Sequence, residues 1–173
     1  VSVGSQSELA DDIVSFVVDA DLDQSAMAVV VLRNDDHKYT QSCSLGDTIE
    51  IKVDGEIDGG VLFKGKVAGL EPQYRGGGET RLVLRAFDLL HQKLQGKKSD
   101  NFENMTDQQI IERVLGMSVE WGAKNPTITH VHLYQHNQSN LEFARLRASS
   151  IGAHLWMADG KVKVARPERD AAP

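Results

Sequence analysis

THVHLYQHNQSNLEFARLRASSIGAHLWMADGKVKVAR, residues Thr129 to Arg166, decides how this chain is read. Thr129 to Gln135 reads as a strand. A helix follows Asn137-Gln138-Ser139 and carries Leu141, Phe143, Leu146 and Ile151 on its apolar side. Ser139 and Glu142 form a Ser-x-x-Glu capping box: the hydroxyl accepts a backbone N–H one turn in, and the carboxylate reaches back. Gly152 stops the helix. Leu155 to Val162 folds back as a hairpin around Asp159-Gly160, a two-residue turn signal. Trp156 is assigned to the core, under Phe143 and Leu146.

Working outward, Thr106 and Gln109 repeat the capping chemistry before a second amphipathic helix, with Ile110, Ile111, Val114 and Leu115 inward and Gly116 as its stop. Gln95 to Asn101 is polar and reads as a connecting loop. Ser118 to Ile128 has no clear period, and Asn125-Pro126 marks a turn within it. The first half is a run of strands. Val14, Phe16 and Val18 recur at period two, and Ala26 to Leu32 is continuously apolar, as in a strand buried on both faces. Ile49 to Val53 alternates after the Gly46-Asp47 turn. Val61 to Leu70 carries Gly65 and Gly69 as bending or bulging points. Gly76-Gly77-Gly78 joins it to a strand over Thr80 to Phe87, with Leu82, Leu84 and Ala86 on one face. The expected fold is therefore mostly β with α+β: a small antiparallel β-barrel over 1–95, then an α+β lobe over 96–173 with two helices on a short sheet. Closure of the barrel would remove edges that invite aggregation.

The chain has 173 residues, 40% apolar and 25% charged, ordinary for a globular protein able to bury a core. A net charge of −6 gives no basic footprint for nucleic acid. Cys43 is the single cysteine, so no internal disulfide forms. No apolar run approaches the roughly 18 residues that span a bilayer, and no signal-peptide pattern is visible. The chain opens at Val1 without a methionine and reads as a fragment or a trimmed chain.

Three stretches carry a family resemblance. Phe63-Lys64-Gly65-Lys66-Val67 leads to a turn at Leu70-Glu71-Pro72. Leu82 to Leu94 joins a strand to Phe87-Asp88 and a short helix, and Phe102 to Thr106 opens the next helix. Gln135, Asn137, Ser139, Glu142, Phe143, Leu146, Gly152 and Trp156 complete the third. Together they resemble the late control D, VgrG-like baseplate hub proteins of contractile phage tails and injection systems. Asn140 stands where that pattern has Asp, and Arg147-Ala148-Ser149-Ser150 departs from its usual turn. The resemblance implies a structural, non-catalytic part of the baseplate hub, adapting tube to spike without a cofactor. It implies a homotrimer, completed with sequence following Pro173. It also implies a tail tube protein and a spike as partners, no sequence-specific nucleic acid, no membrane insertion, and assembly in the bacterial cytoplasm.

Candidate chemistry is sparse. His130 and His132 share a strand face and His136 follows, so the trio is the candidate metal set; the plainer reading is a solvated strand face. Asp11-Asp12 and Asp35-Asp36-His37 read as turns. Glu142 and Arg145 form a surface pair at i, i+3, and Lys97-Lys98 is a lone basic doublet. No Gly-x-Ser-x-Gly elbow, phosphate loop or His-Glu-x-x-His helix is present. Two rival readings are a small β-barrel module binding sugar or peptide, and a tail-associated cell-wall hydrolase. The first needs an exposed aromatic patch, in a chain with 6% aromatics. The second needs a carboxylate pair, and none stands out.

Overall fold

The computed structural model describes residues 1–4, 9–53, 60–158 and 160–167. The chain divides into two compact units. One comprises Val1–Ala20 with Ser25–Leu89, the other Asp21–Gln24 with Leu90–Pro173.

The first unit is a six-stranded antiparallel sheet made of β1 (Ser2–Val3), β2 (Ile13–Asp19), β3 (Met27–Arg33), β4 (Thr48–Val53), β5 (Gly60–Tyr74) and β6 (Thr80–Phe87), in the order β1-β4-β5-β6-β3-β2. It curls into a half-barrel: Val3 on one edge strand and Ile13 and Val18 on the other pack against the same buried cluster, which includes Val30, Ile49, Ile51, Phe63 and Leu84. Bulges between Ile13 and Ser15, Ile51 and Lys52, and Val67 and Gly69 help it bend. Closure stops short of a complete ladder. Among the described residues β1 and β2 each pair on one side only; the Leu9 N–H donates to the Val1 carbonyl at 3.3 Å beside the seam.

Leu82, Leu84 and Ala86 all face inward, as their period indicates. The continuous apolar run of β3 misleads. Its residues alternate, with Ala28, Val30 and Leu32 buried and Met27, Val29 and Val31 half-buried, because its second face is only partly covered. Gly69 sits at a bulge, but Gly65 serves close approach instead. A β-carbon there would lie 2.2 Å from the Phe87 carbonyl oxygen and 2.7 Å from Phe63 Cζ. The Asp35-Asp36-His37 turn is a short 3-10 helix running into a helix absent from the sequence reading, α1 (Lys38–Ser42). Asn34 organises it: the buried side chain accepts from the Tyr39 N–H at 2.9 Å and donates to the Thr40 hydroxyl at 2.7 Å. Tyr39 in turn donates its hydroxyl to the Asp12 carboxylate. Asp11 and Asp12 end a 3-10 turn leading into β2.

The second unit comprises β7 (Lys98–Thr106), α2 (Asp107–Leu115), β8 (Val119–Trp121), β9 (Thr129–Gln138), α3 (Asn140–Ser150), β10 (His154–Ala158) and β11 (Lys161–Ala165). Of the polar stretch expected as a loop, residues 95–97 are a connection, but from Lys98 on it is strand, as are the residues expected to open a helix, Phe102 to Met105. Pairing with β9 in a two-stranded ribbon overrides their weak local preference. The Ser118–Ile128 stretch contains β8, which pairs in parallel with β11, while β11 pairs antiparallel with β10. The lobe therefore holds two small sheets, not one. The β10–β11 turn at Asp159 lies outside the described residues, although the strands flanking it pair from His154↔Ala165 to Ala158↔Lys161. The two helices cover a core in which Phe102 stacks on Phe143 at 5.5 Å between centroids.

Gly65→Ala is expected to destabilise the first unit by about 1–3 kcal/mol, since backbone has to shift to admit the methyl group. Gly76→Ala, where a β-carbon meets nothing within 4 Å, is expected to stay within about 0.5 kcal/mol of wild type. Urea denaturation of both variants checks the contrast.

Candidate functional site

Both helices of the second unit begin with the chemistry their sequences promise. The Thr106 hydroxyl accepts from the Gln109 N–H at 3.3 Å, and the Gln109 side chain accepts from the Thr106 N–H at 2.9 Å. At α3, Ser139 accepts from the Glu142 N–H at 3.2 Å and Glu142 accepts from the Ser139 N–H at 2.7 Å. That backbone bond, with the Ser139 hydroxyl beside it, holds the Glu142 carboxyl below its ordinary range. Gly152 closes α3 at φ +71°. Its N–H donates to the Ser149 carbonyl at 2.8 Å, and the Ala153 N–H to that of Ala148 at 3.0 Å.

The remaining signature residues scatter. Phe63 and Gly65 belong to the half-barrel core. Asp88 is buried and accepts from the Ala26 N–H at 2.8 Å. Gln135 is buried and donates to the Gln138 carbonyl at 3.0 Å. Asn137 takes a left-handed backbone, φ +46°, and its N–H donates to the Ser99 hydroxyl at 3.1 Å. Leu141, Phe143 and Ile151 are core residues, but Leu146 is 51% exposed; Ala144 and Ala148 take the inward positions on α3. Trp156 is half-buried opposite Lys163, so it is not a core residue under Phe143 and Leu146. These twelve residues are thus caps, turns and packing positions of two units, not one constellation.

The three histidines do not converge. His130 Nε2 lies 3.0 Å from Asp107 Oδ2 and 3.3 Å from an Arg147 terminal nitrogen. His132 and His136 are exposed and four residues apart, about 13 Å along a strand, too far for the ~2.1 Å bonds of one ion. No cluster of three His, Cys, Asp or Glu side chains suited to a metal exists among the described residues.

Sequence reasoning missed two arrangements. The first is the Asp107 network. Asp107, the first residue of α2, is 1% exposed. It accepts from Arg147 Nε of α3 at 2.7 Å as well as facing His130 of β9, so one carboxylate ties three elements together. Arg147 had registered only as a departure from a family pattern. The second is a cleft of about 280 Å³ between the end of the β7–β9 ribbon and the facing helix ends, lined by Lys93, Lys98, Asp100, Arg113, Val114, Leu115, Gly116, Gln135 and Asn140. Lys98 of the basic doublet thereby gains a location. Elsewhere in the unit Asp23 Oδ2 lies within hydrogen-bond distance of His154 Nδ1, at 2.7 Å, and Asp23 also accepts from the Leu155 N–H at 3.0 Å. Partial burial pushes the Asp23 carboxyl up, but those two bonds outweigh it and leave it below the ordinary range.

A half-barrel sheet followed by an α+β unit with two capped helices is a fold of phage-tail type. The E. coli c3393 protein is a type VI secretion system component with structural similarity to the T4 bacteriophage tail proteins gp27 and gp5. This chain superposes on it with a TM-score of 0.75 at 17% identity, over 94% of this chain and 48% of that one. A tail protein from Neisseria meningitidis MC58 gives 0.68 at 16% identity, over 91% and 47%. The 43 kDa tail protein of prophage MuSo2 from Shewanella oneidensis gives 0.69 at 15%, over 88% and 50%. The chain thus spans about half the length of the structures it matches, and at such identities the likeness is one of fold. No curated protein matches it. Residues 4–173 match the model of the Alg8 N-terminal domain, and the chain belongs to that family.

Asp107→Ala strands the Arg147 guanidinium without its carboxylate and severs the tie between α2, α3 and β9. The expected loss is about 3 kcal/mol of stability, measured by chemical denaturation. Wild-type stability in the variant would mean that the network is dispensable.

Proposed function

We propose that this chain is a structural, non-catalytic component of the central baseplate hub of a contractile phage tail or related injection system, of the late control D, VgrG-like kind. In this reading identical subunits close around a threefold axis, the ring adapts a tail tube to a spike, and assembly takes place in the bacterial cytoplasm. Closed symmetry repeats one modest contact three times, which gives the ring its stability.

One observation carries the reading. β2 is an edge strand of seven residues with one side of its backbone unpaired among the described residues, and its Val14, Phe16 and Val17 are 43%, 40% and 62% exposed. A long apolar edge is a liability for a monomer and a ready joint for an assembly. The tail-type fold supports the same reading. So does the placement of the signature residues as packing and capping groups.

Sedimentation equilibrium of this chain, alone and extended by the sequence that follows Pro173 in its source, tests the proposal. The expected result is a trimer in at least the extended form, weakened to monomer by Val17→Lys, with the circular dichroism spectrum kept. A strict monomer in both forms, with no binding to the tube or spike protein encoded beside it, would overturn the hub reading.

A further inference from the structure

The cleft of the second unit has a charge balance opposite to that of the protein. In a chain of net charge −6, its lining carries three cations, Lys93, Lys98 and Arg113, against one carboxylate, Asp100. Arg113 is tied to Asp100 at 3.3 Å, in a pair exposed to solvent on both sides. The ammonium groups of Lys93 and Lys98 reach no carboxylate among the described residues. Each is a long side chain whose charge awaits a partner.

The cleft lies where it does for a structural reason. On the inner face of the ribbon, Phe102 pairs with Leu133 beneath the helices. Two residues further along, Asp100 pairs with Gln135 on that same face, and there the helical cover runs out. The C-terminal end of α2 forms one wall, and the Lys93 Nζ stands 3.9 Å from where a β-carbon of Gly116 would project. The floor amides are already committed. The Asn140 side-chain nitrogen donates to the Val114 carbonyl at 2.6 Å, and that of Gln135 to the Gln138 carbonyl. Donors for a ligand therefore come from the lysines and from the Arg113 N–H groups not bonded to Asp100. The Asp100 carboxylate and the carbonyl end of α2 are acceptors.

We propose that this cleft binds an acidic, extended peptide segment of a partner protein, with a carboxylate side chain between Lys93 and Lys98. A peptide suits the mixed lining better than a small anion does. Its carboxylate meets the two ammonium groups, while its backbone N–H groups meet Asp100 and the helix-end carbonyls. A free hydrogen phosphate dianion offers a single O–H donor and is otherwise repelled by both acceptors. The volume admits one or two residues, and β7 has one strand neighbour only among the described residues, leaving an edge along which a peptide can extend. The inference does not depend on the hub reading.

The test is NMR titration of the 15N-labelled chain with the acetylated, amidated pentapeptide Gly-Asp-Glu-Asp-Gly, its Asn/Gln counterpart, and sodium phosphate. The expected result is movement of the Lys98, Gly116 and Asn140 amide resonances with the acidic peptide alone. Affinity should fall about tenfold or more in the double variant Lys93→Gln with Lys98→Gln, whose spectral dispersion reports that it is still folded. Higher salt should weaken binding further. Absence of movement up to millimolar peptide overturns the proposal. So do an equal response to phosphate, which means a simple anion site, and unchanged affinity in the double variant.

Discussion

The side of the β2 backbone left unpaired among the described residues is the constraint on which this account depends. An antiparallel sheet that does not close leaves two rows of N–H and C=O groups facing outward, and each row needs water, cover or a partner. The two edges are handled unequally. β1 contributes only two residues, so its edge is blunted by brevity. β2 runs for seven, with valines and a phenylalanine exposed along it. Curl brings both ends of the sheet over one core without joining them in a ladder. The half-barrel thereby buries one core while still offering an edge, which is what the proposed hub role requires.

The second unit solves a different problem. Short helices are marginal on their own, and their ends leave orphan donors and acceptors. Two reciprocal capping boxes and the Gly152 closure satisfy part of them, and a core that includes the stacked Phe102 and Phe143 supplies the burial. Asp107 then converts a capped helix into a fixed one. A carboxylate at the first turn of α2 favours the positive end of that helix. Once buried it must also be neutralised: Arg147 of α3 supplies the positive charge, and His130 Nε2 of β9 lies 3.0 Å away as a further polar contact. Of the three histidines weighed as a metal set, only His130 takes part in this network; His132 and His136 are exposed.

What was legible in the sequence was what is locally determined. Ser139 with Glu142 and Thr106 with Gln109 announce helix starts, because the capping geometry involves only neighbours three residues apart. Gly116 and Gly152 announce the stops for the same reason, and the alternation of Leu82, Leu84 and Ala86 marks the inner face of β6. What was not legible depends on distant pairing. β7 lacks an alternating pattern and exists through β9; β8 is three residues long and exists through β11. Leu146 looked inward by residue type, yet the small Ala144 and Ala148 let the helix approach its core more closely. The cleft could not be foreseen, since Lys93, Lys98, Arg113 and Asn140 meet only after folding. Arg147 gave no signal of its own, because its partner lies forty residues away.

Hydrogen–deuterium exchange of the β2 amides tests the central claim most directly. If β2 is an assembly edge, the outward-facing N–H groups between Val14 and Asp19 exchange rapidly in the monomer and become protected when subunits associate, while those bonded to β3 are protected in both states. Uniform protection of β2 in the isolated chain, or an assembled form in which those amides still exchange freely, would contradict the account.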